Sequence, residues 1–304
     1  MRTLYLDAFS GISGDMFLGA MLELGVSLDQ LKTELAKLHV HGYHLTSERL
    51  AKSSIYGTSF DVQVAGDKDH GFIEAAGSAH QHTAADHEPH HAHEHVHATT
   101  DQSAAHQHAL AAPAHQHVTD SAGHHHHHGE VRHLDDILAL IDHSDLTATV
   151  KANASAIFTE IAKAEATVHH MPLKAVHFHE VGALDSIVDI VGCCVALELL
   201  HVDEVLASPL TDGSGFINVA HGQMPVPVPA VMQMRVGSQV PIQQRLDIHT
   251  ELITPTGMGI VKTLVKAFGP LPERATPLKI GYGFGKRDTG GFNALRAVLF
   301  EKKN

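Results

Sequence analysis

Tryptophan is absent from the 304 residues, cysteine occurs only twice, and aromatic residues make up 5%. The two cysteines, Cys193 and Cys194, are adjacent in an apolar stretch. Neighbouring cysteines pair only with strain, so no disulfide framework is expected and a reducing cytoplasm is the default compartment. No run approaches the roughly 20 apolar residues of a membrane helix. The opening Met1-Arg2-Thr3-Leu4-Tyr5-Leu6-Asp7 meets an acid too early for a signal peptide. Cations are also scarce: 21 Lys and Arg face 34 Asp and Glu, a formal charge of −13 with histidine neutral. That balance argues against a nucleic-acid binder driven by phosphate contacts.

Histidine is what the chain has in excess. Of 30 histidines, 17 lie between His80 and His128, a window without Lys, Arg or an aromatic residue. Beyond alanine its apolar residues are Val96, Leu110 and Val118, too few to offset the entropy of ordering it. Residues 66–131 are therefore expected to be a disordered His-rich insertion. It divides a mixed α/β (α+β) core into a first part, 1–65, and a remainder, 132–304. Neutral imidazole suits Zn, Cu and Ni. The dispersed donors His80, His82, His90, His91, His93, His95 and His97, with the run His124, His125, His126, His127 and His128, read as metal-collecting. A polar linker or a tag is the bland alternative. A floppy loop preorganises nothing, so a fixed catalytic site is expected elsewhere.

The pattern outside the insert predicts strands mixed with helices. Thr3 to Phe9 reads as a strand, Ser10 to Asp15 as a turn, and Met16 to Leu24 as a helix stopped by Gly25. Ser27 with Gln30 suggests a capping box for a second helix. Tyr43 to Ala65 reads as a hairpin, because Phe60, Val62 and Val64 alternate with Asp61 and Gln63. Leu134 to Ile141 and Val150 to Val168 carry helical spacing, Ala175 to Phe178 reads as a short strand, and Asp185 to Leu200 as a nearly all-apolar helix. Further on, Glu204 to Ala207 reads as a strand and Ala230 to Val236 as a helix. Thr254-Pro255 opens a helix ending near Gly269. Two final strands flank Asp288-Thr289-Gly290-Gly291.

Four groups of residues carry candidate chemistry. In Val176 to Asp189, an extended segment sets His177 and His179 on one face, with Glu180 able to fold back beside them and Asp185 and Asp189 one helical turn apart. Two imidazoles with carboxylates hold a transition metal or polarise a water. Alternatively, Asp185 or Ser186 caps the helix with Asp189 in the capping-box position. The turn Ser10-Gly11-Ile12-Ser13-Gly14-Asp15 joins strand to helix, where backbone N–H groups cradle anions such as phosphate. Gly11, Ser13 and Gly14 would permit close approach. Asp15 opposes a phosphate unless it binds a metal, with Asp7 as its companion, or caps the helix. Thr211 to Gly215 leads to His221, and Lys286-Arg287 ends a strand. Each suits a phosphorylated ligand, and each is also ordinary turn chemistry.

These blocks together resemble one family. Tyr5-Leu6-Asp7 with Gly11 to Met16, His177 to Asp189, His221-Gly222 with Pro225-Val226-Pro227, and Glu251 to Gly257 are similar, in order, to the nickel insertion (LarC) proteins of nickel-pincer cofactor biosynthesis. The resemblance implies insertion of nickel into pyridinium-3,5-bisthiocarboxylic acid mononucleotide, with nickel held through two sulfurs and a ring carbon. It also implies a chelatase or cyclometallase of the lyase class, CTP hydrolysis with Mn²⁺ or Mg²⁺, and lactate racemase apoenzyme as recipient of the product. Within that reading His177 or His179, with Glu180, is the expected base for the ring-carbon proton. Family members usually continue beyond Asn304 with a domain associated with CTP, so CTP-driven insertion is expected to need that domain. A nickel storage or delivery protein without catalysis is the competing expectation.

Overall fold

β1 (Arg2–Asp7) begins the core because its side chains alternate: Leu4 and Leu6 join the main apolar cluster, and Tyr5 joins a smaller one with Val298 and Phe300. The computed structural model describes residues 1–64, 133–176, 178, 183–219, 222–273 and 275–301. α1 (Gly14–Leu24) starts at Ser13, whose Oγ accepts from the Met16 N–H. It stops at Gly25 in the left-handed region, φ 112°. α2 (Leu28–Ala36) buries Leu31 and Leu35. Ser27 stands at its N-cap without a side-chain cap bond, so the expected capping box is not formed. β2 (Tyr43–Lys52) and β3 (Ile55–Val64) make the expected hairpin, with Leu45, Phe60 and Val62 turned into the core.

α3 (Leu134–His143) and α4 (Ala148–Val168) follow, the latter burying Val150, Ala154, Ile157, Ile161 and Ala164 at helical spacing. Of the strand expected at 175–178, the described residues are not in a strand: Ala175 ends one turn of 3-10 helix, Leu173–Ala175, and Val176 and Phe178 are irregular. Pro172, with φ near −61°, leads directly into that turn. α5 (Leu184–Leu199) is capped at Ala183 and not at Asp185 or Ser186. β4 (Glu204–Ala207), β5 (Leu210–Asp212), β6 (Phe216–Val219), β7 (Gly222–Pro225), α6 (Pro229–Arg235) and β8 (Ile242–Gln244) come next. α7 (Pro255–Leu264) ends five residues before Gly269, because Val265–Phe268 becomes β9 and pairs with β4. The edge of β4 needs backbone partners, and a short segment opening with β-branched Val265 supplies them. β10 (Pro277–Phe284) and β11 (Ala294–Glu301) are the two final strands.

Seven strands form one mixed sheet in the order β2-β3-β10-β11-β1-β4-β9. β1 is parallel to β4 and antiparallel to β11, while β10 is antiparallel to β11 and parallel to β3. The carboxyl ends of β1, β3, β4 and β10 therefore share one edge. Both 1–64 and 133–301 contribute strands, which establishes the mixed α/β class. α1 packs on β3, β10 and β11, and α5 packs on α1, α2 and α4.

Candidate functional site

The turn after β1 crosses the carboxyl edge of the sheet and is held from outside. Ile12 N–H donates to Leu252 O at 2.9 Å, and Thr254 N–H donates to Ile12 O at 3.2 Å. Gly11 has φ 82°, and a Cβ there would lie 2.0 Å from Leu252 O, so only glycine fits. Ser13 spends its hydroxyl on the cap of α1. Of the residues expected around an anion, Gly11, Ser13 and Gly14 thus meet protein groups at close range. Gly14 backs onto Asp189: a Cβ would lie 2.7 Å from Asp189 Oδ2.

That contact brings α1 and α5 together around carboxylates. Lys286 Nζ, from the end of β10, donates to Asp15 Oδ2 at 2.8 Å and also to Asp61 of β3. Asp185 and Asp189, one turn apart on α5, both act on Asp15 or on each other by charge. Among the described residues, Asp15, Asp61, Asp185 and Asp189 thus interact by charge, and Lys286 pairs with the first two. Burial, and then the nearby charge of Asp15, raises the Asp189 carboxyl well above the usual range. Its Oδ1 is shut off from solvent and has no hydrogen-bond partner. Burial is also the main cause of the raised Asp15, which Lys286 partly offsets. Burial pulls Lys286 down, but the charges and hydrogen bonds of Asp15 and Asp61 outweigh it and leave the ammonium firmly protonated.

Asp7 goes elsewhere. It accepts from Arg296 Nε at 2.9 Å and from the guanidinium's terminal nitrogen. Asp7 and Asp15 therefore have different cations as partners, whereas Asp15 and Asp185 are brought together. Arg287 donates to Thr250 Oγ1 at 3.0 Å and pairs with Glu251 at 2.5 Å, so it braces the segment leading to α7. Asp61 escaped the sequence reading because, alternating with Phe60 and Val62, it looks like any solvent-facing strand residue. Only the long-range approach of Lys286 distinguishes it.

Cys193 lies one turn beyond Asp189, its Sγ 3.9 Å from Gly14 O. Burial pushes this thiol well up and Cys194 to about 12, so both are inert neutral groups. His177, His179, Glu180 and His221 lie outside the described residues, as do His80 to His128. Their flanks are described: Phe178 is buried, its ring edge-on to Phe158 at 6.3 Å, and Ala183 caps α5.

A Mn²⁺ or Mg²⁺ that accompanies a nucleotide takes several oxygen ligands, and Mg²⁺ demands a near-octahedral array. Among the described residues no group of three or more His, Cys, Asp or Glu is placed to hold a metal ion. Asp15 moreover already turns an oxygen to Lys286. The described residues do not fit such an ion. Among them, too, no helix is long and apolar enough to cross a membrane.

The family profile described as "Nickel insertion protein" matches residues 4–304. A protein of Lactiplantibacillus plantarum named pyridinium-3,5-bisthiocarboxylic acid mononucleotide nickel insertion protein is 69% identical over 303 residues, covering 100% of this chain and 62% of the relative. Proteins of the same name from Acetivibrio thermocellus and Geobacillus kaustophilus are 43% and 39% identical. They cover 100% and 99% of this chain and 61% and 60% of their own lengths. The chain thus spans about three-fifths of the length of the curated relatives it matches. No solved structure matches it. With the family profile matching residues 4–304 and such identity over the whole of this chain, it belongs to the nickel insertion protein family.

Proposed function

We propose that this chain takes up nickel and inserts it into pyridinium-3,5-bisthiocarboxylic acid mononucleotide, as a chelatase or cyclometallase of the lyase class. The observation that carries this reading is the 69% identity, over all of the chain, to a relative named for that substrate. The chemistry makes three demands. Nickel must be collected, the substrate's two thiocarboxylate sulfurs must displace its first ligands, and the ring carbon must lose a proton as the nickel–carbon bond forms. Histidines 80–128 serve the first demand, as imidazole is a good but displaceable nickel ligand. His177, His179 and Glu180 serve the last, with one imidazole taking the ring proton. Asp185 supports that placement, since it follows the segment on α5 and lies within the carboxylate group of Asp15 and Asp189. A carboxylate close to the segment would steady an imidazole that has taken up the ring proton.

CTP dependence with Mn²⁺ or Mg²⁺, the participation of a CTP-associated C-terminal domain, transfer of the product to lactate racemase apoenzyme and a cytoplasmic setting complete the proposal. The test combines purified chain, nickel and the bisthiocarboxylated mononucleotide, with and without CTP and the remaining part of a longer relative. Mass spectrometry should find the substrate heavier by one nickel and lighter by two protons relative to the separate components. Full insertion by both His177→Ala and His179→Ala would overturn the assignment of the base. Deletion of residues 80–128 should abolish most multi-nickel binding in a titration, yet leave insertion intact when nickel is in excess. Loss of both together would favour a nickel delivery protein over an enzyme.

A further inference from the structure

The chain is poor in aromatic residues, with 11 Phe, 4 Tyr and no Trp, yet four of them meet at one point. The Phe9 and Phe292 rings lie parallel within 6°, with centroids 6.1 Å apart. Tyr282 and Phe284 meet the Phe292 ring edge-on at 5.7 and 5.8 Å. Phe284 is fully buried and anchors the group, whereas Phe9, Tyr282 and Phe292 are half-buried and present ring surface to solvent. On β10, Tyr282 and Phe284 alternate with Gly281 and Gly283, which face α1. The aromatic group therefore lies on the opposite face of the sheet from α1. It continues a row across three strands, Asp7 beside Arg296 beside Tyr282.

The group also stands at the edge that carries the candidate site. Phe9 runs directly into the turn that begins α1, and Phe292 runs directly into Asn293. Ser10 Oγ donates to Asn293 Oδ1 at 3.4 Å, and Asn293 Nδ2 donates to Arg287 O at 3.0 Å. The two rings are thus fixed by the same loops that position Asp15 and Lys286. They lie where ligands of open α/β sheets bind, beyond the carboxyl ends of strands.

We propose that Phe9, Phe292 and Tyr282 form the seat for the substrate's flat, cationic pyridinium ring. This rests on the function proposed above. Aromatic faces attract a cation through their quadrupole. A centroid separation of 6.1 Å is short of the ~7 Å that a ring inserted between two others needs, so the pyridinium stacks on the exposed side of the pair. Holding the ring by its face suits the reaction. The two sulfur-bearing substituents and the carbon between them lie in the ring plane, so face-on stacking leaves that reacting edge open to nickel. Hydrogen bonds to the edge would block it.

The binding measurement needs no nickel. Nicotinic acid mononucleotide, a simple pyridinium mononucleotide, and cytidine monophosphate, whose ring is uncharged, are titrated calorimetrically against the whole chain. The bisthiocarboxylated substrate serves as a third probe. The pyridinium compounds should bind more tightly than the cytidine compound. Phe9→Leu and Phe292→Leu keep apolar bulk but remove the π-face, and each should weaken pyridinium binding about three- to thirty-fold. Phe292→Tyr should restore it, and unchanged thermal melting would separate this loss from misfolding. In the insertion assay the leucine variants should raise KM far more than they lower kcat. Wild-type pyridinium affinity in a folded Phe9→Leu/Phe292→Leu double variant would overturn the seat, as would no binding of either pyridinium probe. Insertion with normal KM in that variant would sink the seat and leave the proposed function standing. Ring-dependent binding without any nickel product would do the reverse.

Discussion

Asp212 and Asp189 are two carboxylates with one oxygen each lacking a hydrogen-bond partner, but their other surroundings differ. Asp212 is fully buried at the end of β5, and its Oδ1 accepts from the Gly213, Leu252 and Ile253 N–H groups at 2.8, 2.8 and 3.2 Å. Those donors belong to the strand end and to the segment that grips Ile12, so Asp212 ties β5 to the turn before α1. Asp189 shows no such compensation: it sits against Gly14 among other carboxylates and shares a neighbourhood with one lysine. The first arrangement is that of a brace. The second leaves a buried carboxyl with an unpartnered oxygen, its charged form disfavoured by burial and by Asp15, a cost that a merely structural residue would avoid.

The largest effect is expected at the brace. Asp212→Ala strands three backbone donors, each worth roughly 1–3 kcal/mol when left unpaired, so a loss of about 3 kcal/mol or more should appear in urea denaturation. No loss would mean that water takes over the donors and that Asp212 braces nothing. Burial raises its carboxyl above the ordinary value, partly offset by the three N–H bonds. The unfolded chain releases the carboxyl proton near pH ~3.9, while the folded chain keeps it to higher pH. Between those two points the folded state binds more protons, so this group's contribution to stability falls as pH rises. Asp212→Asn should remove that part of the slope, and identical slopes in both proteins would contradict it.

Next in size is the contact between the two helices. Gly14→Ala places a methyl 2.7 Å from Asp189 Oδ2, inside normal contact, and should cost about 1–3 kcal/mol. The cost should shrink in an Asp189→Ala background, where the opposing carboxylate is gone. Equal costs in both backgrounds would show that the strain falls elsewhere on α1.

Local elements were readable because their physics is local. The strand, turn and helix of residues 2–24 announce themselves by alternation, a Ser13 cap and the Gly25 stop, and α4 by a stripe from Val150 to Ala164. The errors mark where distant partners decide. Residues 265–268 continue the apolar pattern of α7, yet pairing with β4 makes them a strand. Asp7 and Asp15 look like companions eight residues apart, but strand parity turns Asp7 to Arg296 while the helix start carries Asp15 to Lys286. The Lys286–Asp61 pair spans 225 positions and leaves no mark on either neighbourhood. The aromatic group is likewise assembled from residues 9, 282, 284 and 292, with nothing in the local pattern of Phe9 to announce it.

The smallest effect is the most informative about the contrast between the two aspartates. Asp189→Asn removes an ionisable group whose charged form burial and Asp15 already disfavour, while keeping the side chain's shape against Gly14. Stability near pH 7 should therefore hold or rise by about 1 kcal/mol, the low end of what an unpartnered polar atom costs. A loss comparable to that of Asp212→Ala would instead make Asp189 a second brace. A gain in stability combined with weaker nickel retention by the chain lacking residues 80–128 would separate the two roles: the carboxyl is kept for its part in handling nickel, at the expense of the fold that carries it.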